Sequence, residues 1–129
     1  MIPVPAWTKE DLATVGNAEE LAIASRRPDG SLRPYVTIWV VRVGEDIYVR
    51  SAAGPDNPWF RRALASGQGR IRAGGVEQEV TFESHPFESL ESVTAAYHAK
   101  YDLYGPSIVG TVVSPEAVAT TLRLVPQAG

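Results

Sequence analysis

The sequence predicts an α+β fold, mainly β, in which six strands form a small barrel under a helical cover. Three observations carry this expectation. Short apolar segments with period-two alternation are separated by turn residues, and ten prolines and eleven glycines supply those turns. The last third of the chain carries helical segments, the arrangement of a sheet core with helices laid over it. A length of 129 residues with 44% hydrophobic and 21% charged residues suits a single domain, residues 1–129, with one core.

The elements follow in order. "TKEDLATVG" opens with Thr8 three residues before Asp11, a capping-box pattern, and reads as a short helix closed at Gly16. "ELAIASRR" carries Leu21 and Ile23 on one face and reads as a first strand. Pro28-Asp29-Gly30 is a turn, because proline fixes φ and glycine accepts a positive one. "YVTIWVVRV", residues 35–43, is the strongest strand. Tyr35, Thr37, Trp39, Val41 and Val43 share one face and Val36, Ile38 and Val40 the other, so both faces are expected to be covered. "GED" turns the chain into "IYVRS", and the pair reads as a hairpin.

In "PDNPWFRRALASGQG", Asn57 is the expected N-cap, Pro58 the first helical residue and Gly67 the terminator. Helical spacing puts Leu64 near Trp59 and Phe60, with Trp59 and Leu64 facing the core. "RIRA" is a fourth strand, Gly74-Gly75 a turn and "VEQEVTFE" a fifth strand, with Val76, Val80 and Phe82 inward and Glu77, Glu79 and Glu83 outward. "SLESVTAAYHAKYDLYG" reads as a helix ended by Gly105, with Leu90, Val93, Tyr97, Tyr101 and Tyr104 on its apolar stripe. Ser114 caps a short helix begun by Pro115, and "LRLVP" is the last strand.

The net charge of −3 is unevenly spread. Residues 26–72 hold nine arginines against four acids, a net of +5, between acidic flanks of −3 and −5. A positive middle in an acidic chain points to a local anion site, and overall acidity without lysine clusters makes nucleic acid an unlikely partner. The bland alternative is that these arginines pair with acids on neighbouring strands. The chain has no cysteine, which excludes disulfides, thiolate nucleophiles and Cys-ligated metals. No apolar run reaches the ~18 residues of a membrane span, so no membrane association and a cytoplasmic location are expected. "GQGRIR" lacks the third glycine of a dinucleotide fingerprint, and His85 and His98 have no metal-like spacing; no metal site is expected.

What remains is an anion-plus-aromatic site. Arg26 and Arg27 flank the first turn, Arg50 and Ser51 end the third strand, and Arg61 and Arg62 begin the short helix. Guanidinium forks match phosphate oxygens, and helix N-terminal amides favour negative charge. Trp39, Trp59 and Tyr48 offer a flat wall for a ring system. Tyr97, Lys100, Tyr101 and Tyr104 form the one dense group of proton donors, and the three tyrosines are the catalytic candidates.

The stretch "IASRRPDGSLRPYVTIWVVRVGEDIYVRSAAGPDNPWFRRALASGQGRIRA" resembles the first half of the flavin- and deazaflavin-binding split β-barrel proteins, the pyridoxamine-phosphate-oxidase-like superfamily. It most resembles the deazaflavin-dependent nitroreductase-like branch and a small uncharacterised bacterial domain family related to it. The turn motif matches Arg26-Arg27-Pro28-Asp29-Gly30, and the helix motif matches Trp59-Phe60-Arg61-Arg62-Ala63-Leu64-Ala65, over roughly residues 20–83. The resemblance implies a six-stranded split barrel, a homodimer, and an FMN or deazaflavin coenzyme held where subunits meet. It places Arg26, Arg27 and Ser51 near the cofactor phosphate and Trp59 and Arg61 at the loop covering it. The function so implied is an oxidoreductase passing hydride to a small conjugated or aromatic substrate. Where relatives carry Ser-Lys-Gly-Gly, this chain has Ser51-Ala52-Ala53-Gly54, and the asparagine of the helix motif is Arg62. The lost lysine favours the alternative, a cofactor-free dimeric split barrel that binds a small ligand or a protein partner.

Overall fold

A computed structural model describes residues 6–52, 54–84 and 90–127. The chain runs α1 (Lys9–Asn17), β1 (Leu21–Ser25), β2 (Val36–Ile38), β3 (Val41–Val43), β4 (Asp46–Val49), α2 (Pro58–Ser66), β5 (Gln68–Ala73), β6 (Val76–Glu83), α3 (Leu90–Tyr101), a 3-10 turn (Asp102–Tyr104), α4 (Pro106–Val113), α5 (Pro115–Val118) and β7 (Leu122–Pro126). The seven strands form one antiparallel sheet in the order β2-β1-β5-β6-β7-β4-β3. Its two edge strands, β2 and β3, are separated in sequence by Trp39 and Val40 alone. Two residues of extended chain span only ~7 Å, so the opposite edges must lie close together and the sheet must curl into a split barrel.

The long strand expected over residues 35–43 is therefore broken, which raises the count from six strands to seven. Tyr35 lies outside it, and Val36 and Thr37 are exposed, so the expectation that both faces are covered fails at that end. Val40 has left both ladders, yet its backbone groups are satisfied from α3. Its N–H donates to the Tyr101 hydroxyl (3.1 Å) and its carbonyl accepts from Lys100 Nζ (2.6 Å). Tyr101 also donates to the Glu19 carbonyl (2.7 Å), Lys100 to that of Gly16 (3.0 Å), and the Trp39 ring stacks on Tyr101 at 4.0 Å.

Side-chain alternation continues through the break. Ile38 and Val40 join the barrel core with Leu21, Ile23, Ile47, Val49, Ile71 and Leu124, while Trp39, Val41 and Val43 join an outer cluster with Tyr48, Tyr97, Tyr101 and Val109. α1 and α2 reach the barrel core through Leu12, Val15, Phe60 and Ala63. α3 covers β3, α4 packs on α3, and both helices contribute to the outer cluster that buries Val41 and Tyr48.

Thr8 caps α1 as its spacing predicts, accepting from the Asp11 amide, although the helix runs past Gly16 to Asn17. Gly67 ends α2 at φ +74°. Leu64 is 46% exposed, contrary to the expectation that it faces inward; Phe60 and Ala63 take the buried positions and Trp59 is half-buried. The helix expected up to Gly105 stops at Tyr101 and tightens into the 3-10 turn, which leaves Tyr104 40% exposed instead of on the buried stripe. No element was expected over 106–113, where α4 forms. The turn at His85 and the expected helix start at Ser89 fall outside the described residues.

Two outcomes test this arrangement. Phe60→Ala should cost about 3–5 kcal/mol in chemical denaturation and Leu64→Ala less than about 0.5 kcal/mol; equal losses would mean that α2 is rotated. Burial lowers the Lys100 amine to about 8 from an ordinary 10.5 and raises the Tyr101 phenol to about 12 from 10.0. Between pH 8 and 10 the unfolded chain therefore binds more protons at residue 100 than the folded one, so stability should rise with pH. Above pH 10 the unfolded tyrosines ionise first and stability should fall. Lys100→Met should remove the rise and keep the fall, as read from urea midpoints across that range.

Candidate functional site

The first turn and α2 face each other at the end of β1, which lies between β2 and β5 in the sheet. Asp29 shapes the turn by accepting from the Ser31 amide (2.9 Å) and hydroxyl (2.6 Å), and those bonds hold its carboxyl below the ordinary value. Gly30, at φ +89°, completes the reversal, and Arg26 bridges to Leu32 in the continued hairpin. This register returns Arg33 to the level of Ser25, whose carbonyl accepts from the Arg33 amide (2.9 Å).

Between turn and helix lies a cavity of about 680 Å³ lined by five arginines: Arg26, Arg27 and Arg33 from the hairpin, Arg61 and Arg62 from α2. They are not equivalent. Arg26 pairs with Glu79 (2.9 Å) and donates to the Gly30 carbonyl (2.5 Å). Partial burial works to raise Glu79, but the hydrogen bonds from Arg26 and Arg70 prevail and hold its carboxyl below the ordinary value. Arg27 donates to the Leu32 carbonyl (2.9 Å). Arg33 buries its Nε with no hydrogen-bond partner. Arg61 and Arg62 are exposed, and among the described residues Arg27, Arg33, Arg61 and Arg62 have no carboxylate within ion-pair distance.

A second groove of about 410 Å³ lies between β2, the start of α2, and α4, with Trp39, Trp59, Val36, Ile108 and Val112 on its walls and Thr37, Arg50, Asn57 and Thr111 as its polar members. A void of about 10 Å³ lies between the two, lined by Arg33 and Arg62, which also line the first cavity, and by Val36 and Trp59, which also line the second. The cationic cavity and the aromatic groove thus adjoin through shared walls, as the two ends of one cleft region.

The sequence-derived candidates distribute over this cleft unevenly. Arg26, Arg27 and Arg61 line the cationic end, and Trp59 lines the aromatic end and the small void between the ends. Arg50 is buried and lines the aromatic groove. Ser51 is fully buried: its amide donates to Thr120 Oγ1 (2.8 Å), its hydroxyl donates to the Gly54 carbonyl (2.5 Å) and accepts from Asn57 Nδ2 (2.8 Å). Asn57 thus occupies the N-cap position of α2 without capping it by its side chain, which holds the loop below instead. The Phe60 and Arg61 amides already donate to the Asn57 carbonyl (3.1 and 3.2 Å).

Tyr97, Tyr101 and Tyr104 do not line the cleft. Burial drives the Tyr97 phenol far above its ordinary value, and its hydroxyl has no hydrogen-bond partner among the described residues. Tyr48 points into the outer cluster. His98 pairs with Asp102 (2.8 Å) on the surface. Arg33 and the groove residues Ile108 and Thr111 escaped sequence reasoning. Arg33 was in principle detectable, since pairing the hairpin back from Pro28-Asp29-Gly30 sets it opposite Ser25; α4 gave no such signal.

This fold recurs in solved structures of low sequence identity. The conserved hypothetical protein Rv2991 from Mycobacterium tuberculosis matches with a TM-score of 0.68 at 14% identity, over 99% of this chain and 86% of its own. HutZ, the heme storage protein from Vibrio cholerae, matches at 0.62 and 14% identity, over 93% and 89%. An F420-H2 dependent reductase, FDR-A, matches at 0.60 and 15% identity, over 83% and 93%. The chain thus has the split-barrel fold found among flavin- and deazaflavin-binding proteins. A search of curated proteins found no match. Residues 11–124 match the model of DUF2255, described as an uncharacterized protein conserved in bacteria, and the chain belongs to that family.

Proposed function

We propose that the cleft along α2 binds a flavin-type cofactor, FMN or a deazaflavin coenzyme, and that the protein is an oxidoreductase acting on a small conjugated or aromatic substrate. The observation that carries this is the adjacency of four guanidiniums without a carboxylate partner among the described residues, Arg27, Arg33, Arg61 and Arg62, to a groove walled by Trp39 and Trp59. The buried Arg33 Nε, with no hydrogen-bond partner among the described residues, is a donor that a bound anion would satisfy. Arg33, Arg61 and Arg62 would hold phosphate oxygens by charge-assisted hydrogen bonds, and the tryptophans would bound the ring and exclude water. When bound, a reduced cofactor of this type supplies hydride; the protein contributes placement and electrostatics.

The protein acts as a homodimer in this proposal. Val36, Leu103 and Ile108 are exposed apolar side chains, and two of them line the groove, so a second copy would cover its mouth. One observation favours the other function, a cofactor-free dimer binding a small ligand or protein partner. The Ser51 hydroxyl is spent inside its own loop and Ala52 brings no cation, so that loop offers a phosphate nothing.

Titration with FMN and with deazaflavin coenzyme decides between them. At about 100 times the dissociation constant, the binding cofactor should stabilise the protein by about 2.7 kcal/mol, seen as a raised Tm. Arg61→Ala and Arg62→Ala should each weaken that binding about tenfold, while the free protein keeps its Tm because neither residue supports the core. No thermal shift with either cofactor would overturn the oxidoreductase assignment.

A further inference from the structure

Arg50 places a charge in the aromatic groove that cofactor phosphate does not explain. It follows β4 and is 2% exposed. A guanidinium has five N–H donors. Four are spent here: Nε on Thr121 Oγ1 (2.9 Å), Nη1 on Thr94 Oγ1 (2.9 Å) and the Val112 carbonyl (3.0 Å), and Nη2 on the Leu90 carbonyl (3.0 Å). Every acceptor is neutral, and the remaining N–H on Nη2 has no acceptor among the described residues. The Tyr97 ring lies 5.5 Å from the guanidinium carbon, a contact with no net charge to offer. Burial pulls the group below the ordinary arginine value, yet arginine does not shed its proton in a protein. Among the described residues Arg50 has no counter-ion, and a buried charge in that position is strongly unfavourable unless something supplies one. The groove beside it is open and otherwise mostly apolar.

We propose that this groove takes a planar aromatic or conjugated carboxylate, with the ring against Trp39 and Trp59 and the carboxylate as the counter-ion of Arg50. The inference rests on the groove being the substrate end of the cleft proposed above, and it names the substrate class. One guanidinium in an apolar groove suits a monoanion. Phosphate, with two charges and more oxygens to satisfy, belongs with the arginines at the other end. A neutral analogue would fill the same space and leave Arg50 without its ion, so the site discriminates by charge at constant shape.

Benzoate and its neutral isostere benzamide test this on the whole chain without cofactor, by calorimetry and thermal shift. Benzoate should bind at least about tenfold more tightly, the scale of one charge-assisted hydrogen bond. Arg50→Met should abolish the preference. Because Arg50 also ties α3 to α4, that variant can fail to fold, so Thr111→Glu serves as the second. A carboxylate on the groove wall should remove benzoate binding and raise the Tm of the free protein. Equal binding of the two probes, or no benzoate binding at millimolar concentrations, overturns the proposal. A benzoate preference without flavin or deazaflavin binding leaves this site standing and removes the oxidoreductase assignment; cofactor binding with no preference does the reverse.

Discussion

The fold depends on one short crossing, Trp39 and Val40, by which the chain leaves one edge of the sheet and joins the other. A flat seven-stranded sheet would hold its edges some 29 Å apart, six spacings of ~4.8 Å, and a two-residue link forbids that. The sheet must curl, and curling divides its side chains between an enclosed barrel core and an outer face that needs a cover. The backbone of a crossing residue has no ladder partner, and burying it unpaired would be costly. Tyr101 and Lys100 of α3 meet that need, binding the N–H and C=O of Val40 from outside the barrel. The helical cover is thus both a lid on the outer cluster and the source of the hydrogen bonds that make the crossing possible. The same pinned crossing turns Trp39 out of the barrel, where it stacks on Tyr101 and walls the groove.

Cross-strand electrostatics then sort the arginines. β6 carries Glu77, Glu79 and Glu83, and antiparallel register sets Glu77 opposite Arg72, Glu79 opposite Arg70 and Glu83 opposite Arg123. Ion pairs form at each position, at 2.8 Å for Arg72 and 2.7 Å for Arg70, and Glu79 also takes Arg26. The expectation that arginines pair with acids of neighbouring strands therefore holds for the sheet. It does not hold along α2 or at Arg33, beyond the reach of the β6 carboxylates. The basic middle of the sequence resolves into a neutralised ladder on the barrel, which Arg26 joins through Glu79, and a set of cleft arginines without a carboxylate partner among the described residues, Arg27, Arg33, Arg61 and Arg62.

Much of this was legible where the controlling interaction is local. Thr8 three residues before Asp11, Asn57-Pro58 before an apolar helix and Gly67 after it fix element ends within a few residues, and alternation fixed the strand faces. What was not legible depends on partners far away in sequence. "YVTIWVVRV" reads as one strand because nothing in it breaks the pattern; Val40 leaves the ladder for groups on residues 100 and 101. The β-branched run Ile108-Val109 and Val112-Val113 weighs against a helix, and burial of Val109 and Val112 in the outer cluster overrides that propensity. Leu64 failed for a smaller reason: spacing puts it beside Phe60 but does not fix how the helix is rolled, and α2 is rolled toward Ala63 and Trp59, which leaves Leu64 on the solvent side.

The candidate site shows the same division. Arg61 and Trp59 were readable from a local motif, but the distinction between Arg50 and the other arginines was not, since the groups that bury Arg50 lie forty and more residues away in sequence. Burial separates them. Arg61 sits in water, where an incoming anion gains only the difference between two solvated states, so several such residues are needed together. Arg50 sits behind β4 with four neutral hydrogen bonds fixing its plane and little water to screen it. In that medium one properly oriented anion is worth more than the same contact at the surface, and a misplaced one is excluded. The cleft therefore offers two kinds of anion recognition: a loose, multivalent one at the α2 arginines and a single, oriented one beside the tryptophans. A molecule that is phosphorylated at one end and planar at the other would fill the first and reach the second. The oriented charge of Arg50 would then remain for what binds against the ring.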